Sequence, residues 1–195
     1  MTWRDRRMAA LSQAGLVEKF VDALVCVFYP VYLYQHGLTL ANIGWVVEVY
    51  GFVWGGAQFF TGRLSDHNGR QRPIVWGMWI GGAGVGIMLM GESVLWWSVS
   101  AAITGLGMAL LYPNLSAAVA DIAHPNWRGT AIGIYRFWRD LGYGIGALAL
   151  GLVVNISAGL SAGFWFVSVA MLASGAMVVW WGQETHPRLN PASEL

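Results

Sequence analysis

Apolar residues occur along the chain in six long runs that are separated by short polar stretches. Each run is long enough for the ~20 residues that an α-helix needs to cross a bilayer. A membrane β-barrel would instead show alternating segments of ~10 residues, and we see none. The pattern therefore predicts an all-α membrane protein with six transmembrane helices. The predicted spans are Leu11–Gln35, Ala41–Gly62, Pro73–Met90, Leu95–Ile122, Gly129–Ile156 and Leu160–Gly182.

Positive charge lies mostly at one end of the predicted helices. It is carried by arginines of the two termini and of two loops, namely Arg4, Arg6, Arg7, Arg63, Arg70, Arg72, Arg128 and Arg188. The three loops on the opposite side contain no Lys or Arg. Because cytoplasmic loops carry the excess of positive charge, we expect both termini to be cytoplasmic. The predicted organisation is a cytoplasmic segment over residues 1–10, a helical bundle over 11–183 and a cytoplasmic tail over 184–195.

The composition agrees with a helical membrane protein and argues against other classes. Hydrophobic residues make up 56 % of the chain and charged residues 11 %, whereas a soluble domain carries about 25 % charged residues. The net charge of +1 gives no electrostatic basis for binding nucleic acid. The sequence has no phosphate-binding loop, nucleophile elbow or zinc-protease motif, so we expect no enzymatic activity, cofactor or metal site.

The stretch Gly62–Arg72 concentrates charge between the second and third apolar runs, and it reads GRLSDHNGRQR. Its glycines allow a tight turn, its Asp can accept hydrogen bonds from a helix N-terminus, and its arginines can bind carboxylates or lipid phosphates. The stretch closely resembles the loop motif of the major facilitator superfamily, Gly-x-Leu-x-Asp-x-x-Gly-Arg-x-Arg/Lys. The matching positions are Gly62, Leu64, Asp66, Gly69, Arg70 and Arg72.

This resemblance implies a transporter architecture. Members of the family usually have twelve helices in two six-helix halves, and each half is a 3+3 inverted repeat. The chain would supply one half and would help to transport a small solute across the lipid bilayer by alternating access, with proton coupling as one option. The loop would be part of a cytoplasmic latch in which Asp66 holds the start of a helix from the opposite half. The expected location is the bacterial inner membrane.

The resemblance also favours the carboxy-terminal half. The fourth apolar run has Gly105-Leu-Gly107 without the Arg that is common in the amino-terminal half, and the segment from Asp121 to Gly142 looks like the family's eleventh helix. Six helices form only one wall of a transport pathway. The chain could therefore be a fragment of a twelve-helix protein, pair with a separate half, or form a homodimer. The alternative is a non-transporting sensor or assembly partner that reuses the half fold.

Charged residues inside the apolar runs are the candidates for substrate binding or proton coupling, because a charge at the bilayer centre costs ~2.5–3.5 kcal/mol on insertion scales. They are Asp22 on the first helix, Glu48 on the second, and Arg136, Arg139 and Asp140 on the fifth. Arg136 and Asp140 are four residues apart on a helix, so they can form an ion pair and neutralise each other. Arg139 could then meet Asp22 or Glu48 across a cavity, or bind an anionic substrate. A purely structural ion-pair network is the alternative.

Glu18 and Lys19 precede Asp22 on the first helix. We interpret both as lying near the cytoplasmic headgroups, with their charged ends extending to the interface. Lys19 is three residues before Asp22, so a local ion pair is also possible. Close helix packing is predicted by four Gly-x-x-x-Gly spacings, which are Gly51/Gly55, Gly82/Gly86, Gly129/Gly133 and Gly142/Gly146.

Overall fold

The structure is a computed structural model that describes residues 5–157 and 159–186, without the side chains of residues 66–68. Within these ranges the chain forms six helical rods, α1 to α6. The rod α1 consists of Arg6–Ala23, Leu24–Phe28 and Tyr29–Gln35, and the others are α2 Leu40–Asn68, α3 Gln71–Ile87 with a 3-10 turn Met88–Met90, α4 Val94–Ile122, α5 Arg128–Ser157 and α6 Leu160–Trp181.

Proline accounts for the irregular middle of α1. The segment Leu24–Phe28 is π-helical, and the backbone N–H of Tyr29 donates to the carbonyl of Leu24. Pro30 follows at once, and it has no N–H and a ring that clashes with the preceding turn. The regular α-helical pattern therefore cannot continue through this point. The irregular segment begins two residues after Asp22, and single π-helical turns of this kind are frequent at functional sites.

Side-chain caps define where several rods begin. Asp5, Thr39 and Ser93 each accept a hydrogen bond from a backbone N–H two or three residues further on. Partial burial of Asp5 acts to raise the pKa of its carboxyl, but hydrogen bonds from the side chain and backbone of Arg7 outweigh this, so the pKa is lowered. An ionised carboxylate at a helix N-terminus also compensates the positive end of the helix dipole.

The rods are arranged in three layers. The pair α3 and α6 packs together on one side, α1 and α4 lie in the centre, and α2 and α5 cover the other side. In this arrangement α2 packs mainly on α4, and α5 packs mainly on α1. When α1, α2 and α3 are matched in order to α4, α5 and α6, the α2–α4 contact corresponds to the α5–α1 contact. In the same way, the α3–α4 contact corresponds to the α6–α1 contact. The main helix pairings are therefore of the same kind in α1–α3 and in α4–α6.

Glycines let the central rods approach closely. A Cβ atom added to Gly107 of α4 would lie 2.6 Å from the Cα atom of Gly81 on α3. Gly142 of α5 faces the backbone carbonyl of Leu16 on α1, with no room for a side chain. Between α3 and α6, a Cβ atom on Gly82 would meet a backbone carbonyl at 3.1 Å. Small residues at such interfaces allow the backbone contacts that stabilise helix pairs in membranes.

These contacts confirm two of the four predicted Gly-x-x-x-Gly packing sites. Gly82/Gly86 faces α6, and Gly142/Gly146 faces α1. By contrast, a Cβ atom at Gly51/Gly55 of α2 or at Gly129/Gly133 of α5 would have nothing within 4 Å. Those two pairs lie on the outer side of the layer formed by α2 and α5, where the described chain supplies no packing partner.

Four stretches of the described chain are long and apolar enough to cross a membrane. They are Gln71–Met90, Val94–Ile122, Pro125–Ser157 and Leu160–Trp181. Each stretch contains an apolar window, which is the part that is apolar enough to cross the membrane. The share of this window that is buried inside the protein is 61 % for both α3 and α4, but only 17 % for α5. The rod α5 is therefore an apolar helix that is mostly uncovered by the rest of the described chain.

Two helix boundaries differ from the predicted ones. The polar stretch after Gly62 was expected to be a loop as far as Arg72, but α2 continues through it to Asn68. The connection to α3 is a tight turn at Gly69, which has a φ of +85° that favours glycine. The first rod begins at Arg6 and buries Met8, so helical packing starts earlier than residue 11. Both differences arise because polar residues can extend a helix beyond its apolar core.

The glycine contact between α1 and α5 generates a test. We expect Gly142→Ala to destabilise the purified chain by about 1–3 kcal/mol, because the added methyl group overpacks against the Leu16 backbone. Gly144→Ala is the matched control on the same helix, since a Cβ atom there has nothing within 4 Å. Thermal unfolding in detergent should show a lowered midpoint for the first variant only. Equal midpoints would contradict the close contact.

Candidate functional site

A cluster of charged side chains lies inside the bundle, among α1, α2, α4 and α5. The ammonium group of Lys19 forms an ion pair with the carboxylate of Asp22, which confirms the local pair considered from the spacing. The other oxygen of Asp22 accepts a hydrogen bond of 3.0 Å from the hydroxyl of Tyr50 on α2. Asp22 therefore connects α1 to α2, and Lys19 neutralises its charge.

Glu18 lies one helical turn before Asp22 and is completely buried, with 0 % of its surface exposed. Neither carboxyl oxygen has a hydrogen-bond partner among the described residues. Lys19 is buried as well. The expectation that these two side chains extend to the headgroups is therefore wrong. The physical reason is that α1 lies in the central layer, where α5 covers it through contacts such as that of Gly15 with Tyr135.

Arg139 brings a second positive charge into the cluster from α5. Its Nε atom lies 3.4 Å from Oδ1 of Asp140, within ion-pair distance but without the alignment of a hydrogen bond. Its Cζ atom stands 4.7 Å from the ring centroid of Tyr112 on α4, which is a cation–π arrangement. Arg139 therefore links α5 to α4.

The predicted ion pair between Arg136 and Asp140 is wrong, because Asp140 pairs with the adjacent Arg139 instead. Arg136 lies exposed, whereas the side chain of Arg139 is only 12 % exposed. Water and salt screen an exposed charge more than a shielded one. The Asp140 carboxylate is thus attracted more strongly to the shielded guanidinium of Arg139, although the i,i+4 spacing on the helix would favour a pair with Arg136.

Aromatic rings form one wall of the cluster. Trp54 stacks on Tyr50 with ring centroids 6.1 Å apart, and its indole meets the ring of Tyr112 edge-on, also at 6.1 Å. Tyr135 of α5 is completely buried beside Gly15 of α1. Such a wall offers apolar area and a few hydroxyl groups, which is the usual make-up of a small-molecule site.

The cluster lies well away from the helix ends. At 1.5 Å per residue, Glu18 is ~18 Å from the start of α1 and Arg139 is ~17 Å from the start of α5. In a bilayer whose hydrocarbon core is ~30 Å thick, this depth is apolar. Charged groups at such a depth normally face a protein interior or a water-filled cavity, and they mark pathways for ions or substrates.

The remaining candidates lie on what we call the open face, the uncovered side of α2 and α5. Glu48 of α2 and Arg136 of α5 are exposed there, and the side chain of Asp140 is 66 % exposed. The ion pairs of Arg139 and Asp22 are with Asp140 and Lys19, and not with each other. The structure therefore joins Asp22, Arg139 and Asp140 to one cluster and leaves Glu48 and Arg136 outside it.

A second polar network lies at the motif end of the bundle. The guanidinium of Arg70 contacts Asp121 of α4, with Nε 3.2 Å from Oδ2, and its Nη1 donates to the hydroxyl of Ser65 at 2.8 Å. These contacts join α2 and α4 to the turn before α3. Arg70 is thus the motif residue that holds three rods together.

Glu184, after the end of α6, belongs to the same network. Its carboxylate accepts hydrogen bonds from the backbone N–H groups of Arg70 and Gln71, at 2.8 and 3.2 Å, and from those of Thr185 and His186. An acidic side chain here compensates the positive end of α3. A Cβ atom on Gly69 would overlap the Glu184 carboxyl. This position therefore favours glycine for two reasons, its positive φ and the space that the carboxyl occupies.

The sequence did not indicate this role of Glu184, because it is a lone acid in a stretch that we predicted to be a polar tail. The other motif positions are less involved: Leu64 and Arg72 are exposed, and Gly62 is half-buried with nothing within 4 Å of an added Cβ atom. The side chain of Asp66 lies outside the described part of the structure. Its latch role therefore stays a prediction.

Comparison with known proteins now identifies the family. The model of the Major Facilitator Superfamily matches residues 13–194. The chain belongs to this family. It is therefore an integral, multi-pass membrane protein of a transporter family, and the resemblance to this family is confirmed.

Two curated relatives illustrate the similarity. An uncharacterized MFS-type transporter, STM4428, of Salmonella typhimurium strain LT2 is 30 % identical over 112 residues, which cover 57 % of this chain and 29 % of that protein. The multidrug resistance protein MdtH of Yersinia pestis strain Pestoides F is 30 % identical over 155 residues, which cover 72 % of this chain and 38 % of that protein. The chain thus spans about a third of the length of these relatives.

Solved structures share the fold. The peptide transporter POT in complex with sulfate matches with a TM-score of 0.79 at 21 % identity, over 95 % of this chain and 42 % of that one. The human organic anion transporter MFSD10 matches with a TM-score of 0.71 at 18 % identity, over 92 % of this chain and 48 % of that one. At these identities the likeness concerns the helical fold alone.

The Glu184 network generates a second test. We expect Glu184→Ala to destabilise the chain by about 1.5–3 kcal/mol, because hydrogen bonds to a charged acceptor are lost at a partly buried helix start. Gln183→Ala is the control, since this neighbouring side chain is exposed. Thermal unfolding in detergent measures both variants. If Glu184→Ala and Gln183→Ala had the same midpoint, the carboxylate would not be stabilising the start of α3.

Proposed function

We propose that the chain transports a small solute by alternating access, as one six-helix half of a twelve-helix assembly. The observation that carries this proposal is the open face. It bears Glu48, Arg136 and Asp140 on helices that belong to a membrane protein, and each charge would cost ~2.5–3.5 kcal/mol in contact with lipid at the bilayer centre. Such a face is stable when it borders a second protein unit and a water-filled cavity.

The arrangement of the cluster supports a solute site at this face. Arg139 and Asp140 connect the buried charges of α1 to the exposed side of α5, and Trp54 and Tyr112 line the adjoining wall. A solute held between two such units at mid-depth would be reached from one side of the membrane at a time as the units rock. In this proposal Arg139 binds a polar or anionic group of the solute, and the aromatic wall contacts its apolar part.

We further infer that the chain is the carboxy-terminal half, has both termini in the cytoplasm and resides in the bacterial inner membrane. The distribution of arginine supports the orientation, and the bacterial relatives support the location. The second unit is a separate half, a second copy of this chain, or another part of the same polypeptide. The printed names of the relatives suggest drugs, peptides and organic anions as solute classes to test.

Transport in proteoliposomes tests the function. The chain is reconstituted alone and with a candidate amino-terminal half, and the flux of a labelled dipeptide, an organic anion and a lipophilic dye is measured. We expect saturable flux of at least one solute. Arg139→Ala should lower this flux about tenfold or more, which corresponds to ~1.4 kcal/mol of lost interaction. Arg6→Ala, an exposed arginine near the chain start, should stay within about twofold of the wild type on the same scale.

The absence of flux for every solute, in both reconstitutions, would favour a non-transporting membrane protein. Wild-type flux in Arg139→Ala would remove this residue from the solute site but would leave transport itself intact. Because both variants remove one arginine, a difference between them cannot come from net charge.

The latch generates a separate prediction. We expect Asp66→Asn to reduce transport without preventing membrane insertion, because a neutral side chain would hold a helix start of the opposite unit less strongly. His67→Gln is the matched control, since His67 is the next residue but is not a motif position. Flux is compared at equal amounts of inserted protein. Wild-type flux in Asp66→Asn would exclude the latch role.

A further inference from the structure

The middle of α4 contains a proline that removes one hydrogen bond of the helix. Pro113 lies inside α4, and a residue at this position would normally donate its backbone N–H to the carbonyl of Ala109, four residues earlier. Proline has no N–H, and its ring pushes against that carbonyl. Ala109 is completely buried, so bulk water does not take the place of the missing donor. The freed carbonyl therefore needs a donor from elsewhere in the protein.

The hydroxyl of Thr61 on α2 supplies this donor. Its Oγ1 atom lies 2.8 Å from the carbonyl oxygen of Ala109. The carbonyl of Gln58 on α2 itself is 3.4 Å away, which is beyond the usual distance for an O–H···O hydrogen bond. A hydroxyl has one hydrogen, so the shorter contact, to Ala109, is the hydrogen bond. Side chains of this kind satisfy the backbone groups that proline frees in membrane helices.

The next carbonyl of α4 is also bonded by a side chain, but by one of the same helix. The side-chain amide of Asn114 donates to the carbonyl of Leu110 at 2.6 Å. Side chains thus complete the backbone hydrogen bonding beside Pro113, and the donor from Thr61 comes from another helix. The hydrogen bonding of α4 at this point therefore depends on the position of α2.

Tyr112, the residue before Pro113, connects this point to the central cluster. The Arg139 guanidinium stands over its ring at 4.7 Å, and the indole of Trp54 meets the ring edge-on. Trp54 and Thr61 are seven residues apart, which places them on the same side of α2. The helix α2 therefore holds α4 at two levels, with Trp54 against the ring of Tyr112 and Thr61 against the backbone three residues earlier.

We propose that Thr61 is a positioning residue for the solute site. By giving Ala109 the hydrogen bond that Pro113 cannot give, its hydroxyl fixes this part of α4. The fixed backbone holds the ring of Tyr112 in place, and the ring in turn orients the Arg139 guanidinium. The importance of this for a solute rests on the proposed function. The replacement of the proline N–H does not, because it can be measured without any solute.

A double-mutant cycle tests the replacement. Thr61→Val removes the hydroxyl but keeps the shape, and Pro113→Ala restores the backbone N–H. We expect Thr61→Val to lower the thermal unfolding midpoint in detergent clearly more in the wild type than in Pro113→Ala, where Ala109 has its backbone donor again. Thr104→Val is the matched control. It removes the hydroxyl of a buried threonine that donates within α4, to the carbonyl of Ser100, so its effect should be the same in both backgrounds.

Nuclear magnetic resonance of the Arg139 side chain tests the positioning. An aromatic ring shifts the resonance of a proton that is held over its face, and a side chain that is only 12 % exposed exchanges its Nε proton slowly. The chain is prepared in lipid nanodiscs with isotope-labelled arginine, and the Arg139 resonance is identified by its loss in Arg139→Ala. We expect Thr61→Val to move this resonance in the same direction as Tyr112→Leu. Thr61→Ser, which keeps the hydroxyl, should leave it in the wild-type position.

These two measurements decide the proposal. An equal effect of Thr61→Val in both backgrounds would show that its hydroxyl does not replace the proline N–H. A lowered midpoint with an unmoved Arg139 resonance would leave Thr61 a purely structural role. Either result would overturn the proposal. If Thr61→Val does not fold, recovery of folding by Pro113→Ala supports the proposal, and the absence of recovery would overturn it.

Flux in proteoliposomes separates this proposal from the proposed function. For whichever of the labelled dipeptide, organic anion or dye is transported, we expect Thr61→Val to raise the KM about two- to tenfold, the factor that corresponds to one net hydrogen bond. The maximal rate should change less. An unchanged KM would overturn the role of Thr61 at the solute site while transport itself stands. If the midpoints and the resonance behave as expected and no solute is transported, the positioning of Arg139 stands and the proposed function fails.

Discussion

Close contact between helix backbones at glycine is the interaction on which the rest of the structure depends. Gly107 meets Gly81 between α4 and α3, and Gly142 meets the backbone of Leu16 between α5 and α1. Inside a membrane the hydrophobic effect does not drive helices together, so van der Waals packing of this kind has to do so. Each contact includes a central rod, α1 or α4. Together they fix the three layers and bring charged residues of α1 and α5 to the same place.

Compensation of buried charge is the second constraint, and it is met differently at the two networks. At the motif end, Arg70 finds Asp121, and the Glu184 carboxylate is surrounded by backbone N–H donors. In the central cluster, Lys19 and Asp22 compensate each other, while Glu18 has no hydrogen-bond donor among the described residues. Proteins break local rules of this kind mainly at functional sites. The contrast between a network whose charges are compensated and one with an unpartnered carboxyl group separates a structural region from a candidate functional one.

The uneven covering of the rods relates the fold to the proposed transport function. The rods α3 and α4 bury most of their apolar windows, whereas α5 buries little of its own and carries polar groups on the uncovered side. The chain also spans only about a third of the length of the curated relatives that it matches. Both facts support a second unit that covers α2 and α5. The glycines that face open space on these two rods would allow it to approach closely.

The sequence by itself determined the helical membrane class, the approximate helices and the family, because run length and the loop motif are local features. It also allowed the Lys19–Asp22 pair, which depends only on helical spacing. Only the tertiary structure decided that Glu18 is buried, that Asp140 pairs with Arg139 instead of Arg136, and that Glu184 reaches the start of α3. These outcomes depend on which face of each helix is covered and on contacts between distant segments. Spacing along one helix contains no information about either.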